Sequence, residues 1–119
     1  MNKIYLLNAF SFNLIDWAET NRAKIQVQKL TLEQTKEILE KENVVSYVGH
    51  KETASILTGL LGREIPCQRA TVTLQHWNQA IIAQYIGPRL PEGTTQLPPG
   101  AEIIFLLIMF VSYDRSNTI

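Results

Sequence analysis

From Ile103 to Val111 every side chain is apolar. A run like this is stable only where both of its faces are covered, so it either crosses a bilayer or lies inside a sheet. It supplies about half of the roughly 20 residues that a membrane-spanning helix needs. The reading is a central strand from Ile103 to Tyr113, with other elements packed on both sides of it.

The rest of the chain divides into elements that fit around such a strand. Residues 3 to 7 form a short apolar strand, and 23 to 30 alternate apolar and polar with the period of a half-exposed, peripheral strand. Thr31 and Gln34 have capping-box spacing, and Leu32, Thr35, Ile38 and Leu39 form one apolar stripe, so a helix runs from about 32 to 42. Val44 to Val48 is a β-branched strand. From His50 the apolar residues Ala54, Ile56, Leu57, Leu60 and Leu61 return at helical spacing until Gly62 offers a left-handed stop. Arg69 to Leu74 alternates again, and Gln79 to Ile86 is a further strand, with His76 in a hairpin turn between the two. Gly87 to Gly100 is a Pro- and Gly-rich loop of the length usually given to functional lids or disordered segments, and residues 116 to 119 are expected to fray. The fold class is α/β, a single domain over 1–119 with a mixed β-sheet and flanking helices.

Eleven basic residues balance eleven acidic ones for a formal net charge of +0, which gives no electrostatic case for long nucleic acid or an anionic membrane. Cys67 is the single cysteine and has no Cys or His at metal-ligand spacing, so no disulfide, structural zinc or other cofactor is expected. The amino terminus lacks a signal-peptide pattern, and the expected location is the cytoplasm.

Three strands end in residues able to do chemistry. After Leu7 come Asn8, Ala9, Phe10, Ser11, Phe12 and Asn13, where backbone amides and the Ser11 and Asn13 side chains can meet phosphate oxygens; capping of a short helix by Ser11 explains the same residues. After Val48 come Gly49 and His50, and His50 is equally suited to general-acid chemistry and to capping the helix it opens. After Ile86 come Arg89 and Glu92, three apart on a Pro-bracketed loop. Arg89 offers a planar fork for phosphate, and Glu92 can accept from a ribose hydroxyl or an adenine amino group; a solvated loop ion pair is the plainer account. Arg69 either turns toward the same place or is solvated at a strand end.

Taken together, Lys3-Ile4-Tyr5-Leu6-Leu7-Asn8-Ala9-Phe10-Ser11-Phe12-Asn13, Gly49-His50 opening a helix that closes with Leu60-Leu61-Gly62, and Arg89-Leu90-Pro91-Glu92-Gly93 resemble the viral anti-CRISPR ring nuclease family, which includes related cellular CRISPR-associated enzymes. The likeness runs from Lys3 to about Glu92, and the Asn-Ala-Phe-Ser motif is its most specific part. It departs in the Pro- and Gly-rich Thr94 to Gly100 segment and the apolar segment that follows. The resemblance implies a homodimeric α/β protein that binds cyclic tetra-adenylate and cuts it without metal. It makes His50, Ser11, Arg89 and Glu92 the catalytic group and puts Asn8, Ala9, Phe10, Asn13, Gly49 and Arg69 against the ring, with Arg89 and Glu92 on a lid. The competing expectations are a module that sequesters a cyclic nucleotide or a protein without turnover, and a dimeric adaptor joined through the Ile103 to Val111 strand.

Overall fold

The computed structural model describes residues 3–74 and 78–114, with side chains up to Val111. Five strands form one sheet in the order β2-β5-β4-β1-β3, where β1 is Lys3–Leu7, β2 Arg22–Leu30, β3 Asn43–Ser46, β4 Gln79–Ile86 and β5 Glu102–Asp114. β1 runs parallel to both β3 and β4, whereas β5 is antiparallel to both β4 and β2. The sheet is therefore mixed, as the sequence implied, and β2 is the edge strand it was expected to be. The helices are α1 (Leu32–Lys41) and α2 (Lys51–Leu61), and a single 3-10 turn spans Phe12–Leu14.

Local chemistry sets the helix ends. The Thr31 hydroxyl accepts from the Gln34 amide at 3.0 Å, while the Gln34 side chain accepts from the Thr31 amide at 2.9 Å, a complete capping box at the start of α1. Within the apolar stripe of α1, Thr35 is fully buried because its hydroxyl donates to the Thr31 carbonyl at 2.9 Å and leaves no polar group unpaired. At the other end of α1, Arg63 donates to the Leu39 carbonyl at 2.6 Å and satisfies one of the orphan acceptors of the last turn. α2 stops at Gly62, whose φ of 71° is left-handed and suits a residue without a Cβ.

Strand alternation divides the core in two. Ile81 and Ala83 join Leu6, Leu39, Ala54, Leu57 and Phe105 under the helices, whereas Ala80 and Ile82 face the other way, with Leu7, Leu14, Val72, Leu74, Ile108 and Phe110. That second face is covered by irregular chain rather than by helices, and two sequence expectations are corrected by it. Arg69 to Leu74 is not a strand: its pairing is one parallel bridge from Leu74 to Ile15, and the segment crosses the face to bury Val72 and Leu74. The Ile103 to Val111 strand is internal to the sheet but not covered on both sides throughout. Phe105, Ile108 and Phe110 are buried, while Ile104, Leu106 and Leu107 between them keep partial exposure, Leu107 on the helix side and Leu106 on the other. The expected turn at His76 and the frayed terminus at 116–119 lie outside the described residues.

Candidate functional site

Because β3, β1 and β4 are adjacent and parallel, their C-terminal ends open on one edge, and the three chemistry-bearing loops emerge side by side. Open parallel sheets place ligand sites at such an edge. Side chains then tie the loops together. The Asn8 carboxamide oxygen accepts from the Gly49 amide at 2.9 Å, joining the exit of β1 to that of β3. Arg69, though exposed, donates through Nε to the Gly49 carbonyl at 2.9 Å and so lies along the site. Ser46 and Gln68 fasten the covering segment to β3, the Ser46 hydroxyl donating to the Pro66 carbonyl at 2.7 Å and the Gln68 carboxamide to the Ser46 carbonyl at 3.0 Å.

Two concavities flank Gly49 and His50. The first, of about 300 Å³, is walled by Asn8, Ala9, Ser11, Asn13, Gly49 and Arg69, with Tyr47 and Thr71 among its further lining. Ser11 holds the 3-10 turn by accepting from the Asn13 amide at 3.2 Å, and it lines the cavity from that position. The capping role and the binding role thus fall on one side chain. Phe10 is the exception among the expected contacts: it packs on the second core cluster and stacks edge-on with Phe12, centroids 5.6 Å apart, outside the cavity wall.

The second concavity, of about 400 Å³, is lined by His50, Glu52, Arg89, Leu90, Pro91 and Glu92. His50 is the N-cap of α2, its Nδ1 accepting from the Thr53 amide at 3.2 Å and lying 2.9 Å from the Thr53 hydroxyl. An amide can only donate, so Nδ1 is unprotonated when that bond is made, and the neutral ring carries its proton on Nε2. Nε2 lies 3.9 Å from Glu52 Oε1. The other oxygen of Glu52 accepts from the Gly93 amide at 3.2 Å, and this backbone bond is the main reason the carboxyl sits below its ordinary value.

The Arg89 loop has its own folding. The Tyr85 hydroxyl donates to the Pro88 carbonyl at 2.6 Å at its start, and a Cβ on Gly87 would fall 2.7 Å from that of Ala101, so only glycine fits there. Further on, Thr94 donates its amide to Pro91 at 3.2 Å and Gly93 has a φ of 83°, as a type II turn requires. No Arg89–Glu92 ion pair is present among the described residues, and both side chains line the concavity together with His50.

The structure therefore brings Asn8, Ala9, Ser11, Asn13, Gly49 and Arg69 together on one side of the β3 exit, and His50, Arg89 and Glu92 on the other. Sequence reasoning missed Tyr47, Thr71 and Glu52. Tyr47 is the penultimate residue of an expected strand and Glu52 is two residues from His50, so position along the chain was the available signal; nothing local marks Thr71, which arrives on the covering segment.

The profile of the STIV B116-like family matches residues 4–99. The chain is 34% identical over 90 residues to protein 26 of Sulfolobus islandicus filamentous virus (isolate Iceland/Hveragerdi), covering 76% of this chain and 73% of that one. It is likewise 34% identical over 92 residues to protein ORF117 of Acidianus two-tailed virus, covering 76% and 74%. Among solved structures it is similar to B116 of Sulfolobus turreted icosahedral virus, with a TM-score of 0.72 and 26% identity over 90% of this chain and 98% of that one. With the matched span taking in every strand-end residue described above, from Asn8 to Glu92, the chain belongs to the STIV B116-like family, whose relatives named here are viral proteins.

Proposed function

We propose that this protein is a metal-independent ring nuclease that binds cyclic tetra-adenylate and cleaves it to linear di-adenylate ending in a 2′,3′-cyclic phosphate, switching off type III CRISPR signalling. The observation that carries the reading is the placement of His50: Nδ1 is held by the cap of α2, and the ring lines one concavity with Arg89 and Glu92. It also draws on the likeness of the Asn8 to Asn13, Gly49-His50 and Arg89 to Gly93 motifs to the ring nucleases. In the reaction, a ribose 2′-hydroxyl attacks the adjacent phosphorus in line, its proton passing to Glu92 while the new 2′-oxygen–phosphorus bond forms. The bond to the 5′-oxygen breaks, and His50 acts in its protonated form, with Nδ1–H donating to the Thr53 hydroxyl in place of accepting from the Thr53 amide, and delivers the Nε2 proton to that leaving oxygen. Arg89 and the amides of the Ser11 loop stabilise the charge that builds on the non-bridging oxygens.

The substrate carries four phosphodiesters, and one copy of a chain with formal net charge +0 offers few donors for them. A two-fold dimer would present opposite phosphodiesters to two copies of the site and release two di-adenylates. Exposed Val27 and Ile86, with half-exposed Leu106 on the same helix-free face, give such a dimer apolar surface to bury.

Incubation of the protein with radiolabelled cyclic tetra-adenylate in EDTA tests the proposal. The expected result is multiple turnover to di-adenylate with a cyclic phosphate end, and one ring bound per two chains. Protection of one ring per site with no product would leave a sequestering protein in its place.

A further inference from the structure

We infer that Glu52 is a positioning residue that clamps the Arg89–Glu92 loop against His50, so that the two halves of the second concavity are held as one unit. The inference rests on the cleavage reading above for its consequence, and on separate observations for its geometry. Glu52 stands in the first turn of α2, where a glutamate usually extends into water, yet its side chain is only 13% exposed. Its two oxygens face different groups: Oε2 accepts from the Gly93 amide at 3.2 Å, and Oε1 lies 3.9 Å from His50 Nε2, beyond hydrogen-bond distance. No other residue of α2 has a hydrogen bond to the 87–100 loop among the described residues.

The partner on the loop is equally specific. The closing bond of a β-turn uses the amide of its fourth residue and leaves that of its third outside the turn's own bonding. Here the third residue is Gly93, with a φ of 83°, and the turn is closed by the Thr94 amide on the Pro91 carbonyl. The Gly93 amide is thereby released to Glu52. Glu92 is the first central residue of the same turn and Arg89 lies three residues before it, so the bond fixes the segment carrying both. The carboxyl of Glu52 is held below its ordinary value chiefly by this amide, against the opposing effect of desolvation and with smaller contributions from its own backbone amide and the charge of Lys51, which keeps it an ionised acceptor at neutral pH.

Catalysis would gain from this arrangement because the loop carries Arg89 and Glu92, which line the same concavity as His50. A loop that opened freely would present Arg89 and Glu92 for only part of the time, and the single-turnover rate would fall in proportion. Glu52 itself need not touch the substrate.

Two variants and two readouts test it. In E52A the carboxylate is lost, whereas E52Q keeps a carboxamide oxygen able to accept from Gly93. The expected results are faster hydrogen exchange at the Gly93 amide in E52A, by about ten-fold, with exchange inside α2 unchanged, and single-turnover cleavage of cyclic tetra-adenylate slowed by about ten-fold in E52A and largely restored in E52Q. Unchanged Gly93 exchange in E52A would overturn the clamp. So would an E52Q protein that protects Gly93 yet cleaves as slowly as E52A, since the charge and not the tether would then matter. If the wild-type protein left the ring intact, the cleavage reading would fall by itself, because the exchange measurement needs no ring.

Discussion

Replacing His50 perturbs two things at once, and the structure shows how to separate them. His50→Ala removes the imidazole from the concavity and also removes the N-cap of α2, whose Nδ1 accepts from the Thr53 amide at 3.2 Å. Loss of a cap costs about 1 kcal/mol, which in a domain of this size lowers the melting temperature by about 3–6 °C. His50→Asn keeps an acceptor in a position where asparagine is among the best caps, since the backbone there is already extended at φ −117° and ψ 119°. The alanine protein is therefore expected to be less stable than wild type by that amount, and the asparagine protein to be within a few tenths of a kcal/mol of it. Both should lose about two to four orders of magnitude in single-turnover cleavage of cyclic tetra-adenylate, as removal of a general acid does. Instability cannot account for that loss: from a starting stability of about 5 kcal/mol, losing about 1 leaves only about one molecule in a thousand unfolded. Urea unfolding and quenched-flow cleavage of the two proteins make the comparison. If the asparagine protein cleaved at nearly the wild-type rate, His50 would be a cap and nothing more.

Other perturbations follow from bonds at the same edge. Asn8→Ala strands the half-buried Gly49 amide and should cost about 1–3 kcal/mol in urea unfolding, whereas Asn8→Asp, which retains an acceptor, should keep most of that stability; equal losses would show that the 2.9 Å bond is not what joins the two loops. Arg89→Ala should weaken ring affinity and cleavage together, measured by filter binding and single turnover, because a contact to an anion is made before and during reaction; a change in melting temperature alone would count against a ligand role. The Glu52 carboxyl is held below its ordinary value of 4.5, first by the Gly93 amide. A depressed acid stabilises the folded state fully above its unfolded value, and that contribution is lost as pH falls through the folded one, so the loop tether should hold at neutral pH and weaken only below about 4.5. Following the Gly93 amide by NMR against pH checks this, and a transition centred above 4.5 would contradict it.

Elements governed by neighbours along the chain were legible. The capping box at Thr31 and Gln34 and the left-handed stop at Gly62 are local, and both are present in the structure; β2 forms at the edge, but the half-burial its alternation implied is missing, since Ile25 and Val27 are exposed along with its polar residues. So was the grouping of strand-end residues, because polar residues directly after an apolar strand mark its exit. What sequence could not supply was decided by distant contacts. Arg69 to Leu74 has a strand's alternation, but its apolar side chains are buried by crossing a sheet face, and it pairs at one residue only. The Ile103 to Val111 run predicts cover on both sides, yet Ile103 and Leu107 on the helix side and Leu106 on the other are only partly buried, since the cover comes from elements distant along the chain. Glu52 has no local mark beyond its place on the first turn of a helix; its role depends on Gly93, 41 residues later, whose amide is folded onto it.

The pairing of β1 with β3 and β4 also works as a ruler. Leu6 stands opposite Ser46 and Leu7 opposite Ile82, so the number of residues between those rungs and the loops fixes how far each loop reaches beyond the sheet. Moving β4 by a single rung would shift the Arg89 segment by about 3.3 Å and exchange the faces of Ile81 and Ile82, exposing one core to the other's surroundings. Insertions and deletions are therefore barred from the strands, whatever residues they contain. They can accumulate in Thr95 to Gly100, downstream of the turn that meets Glu52, where added length leaves the spacing of Arg89 and Glu92 from β4 untouched.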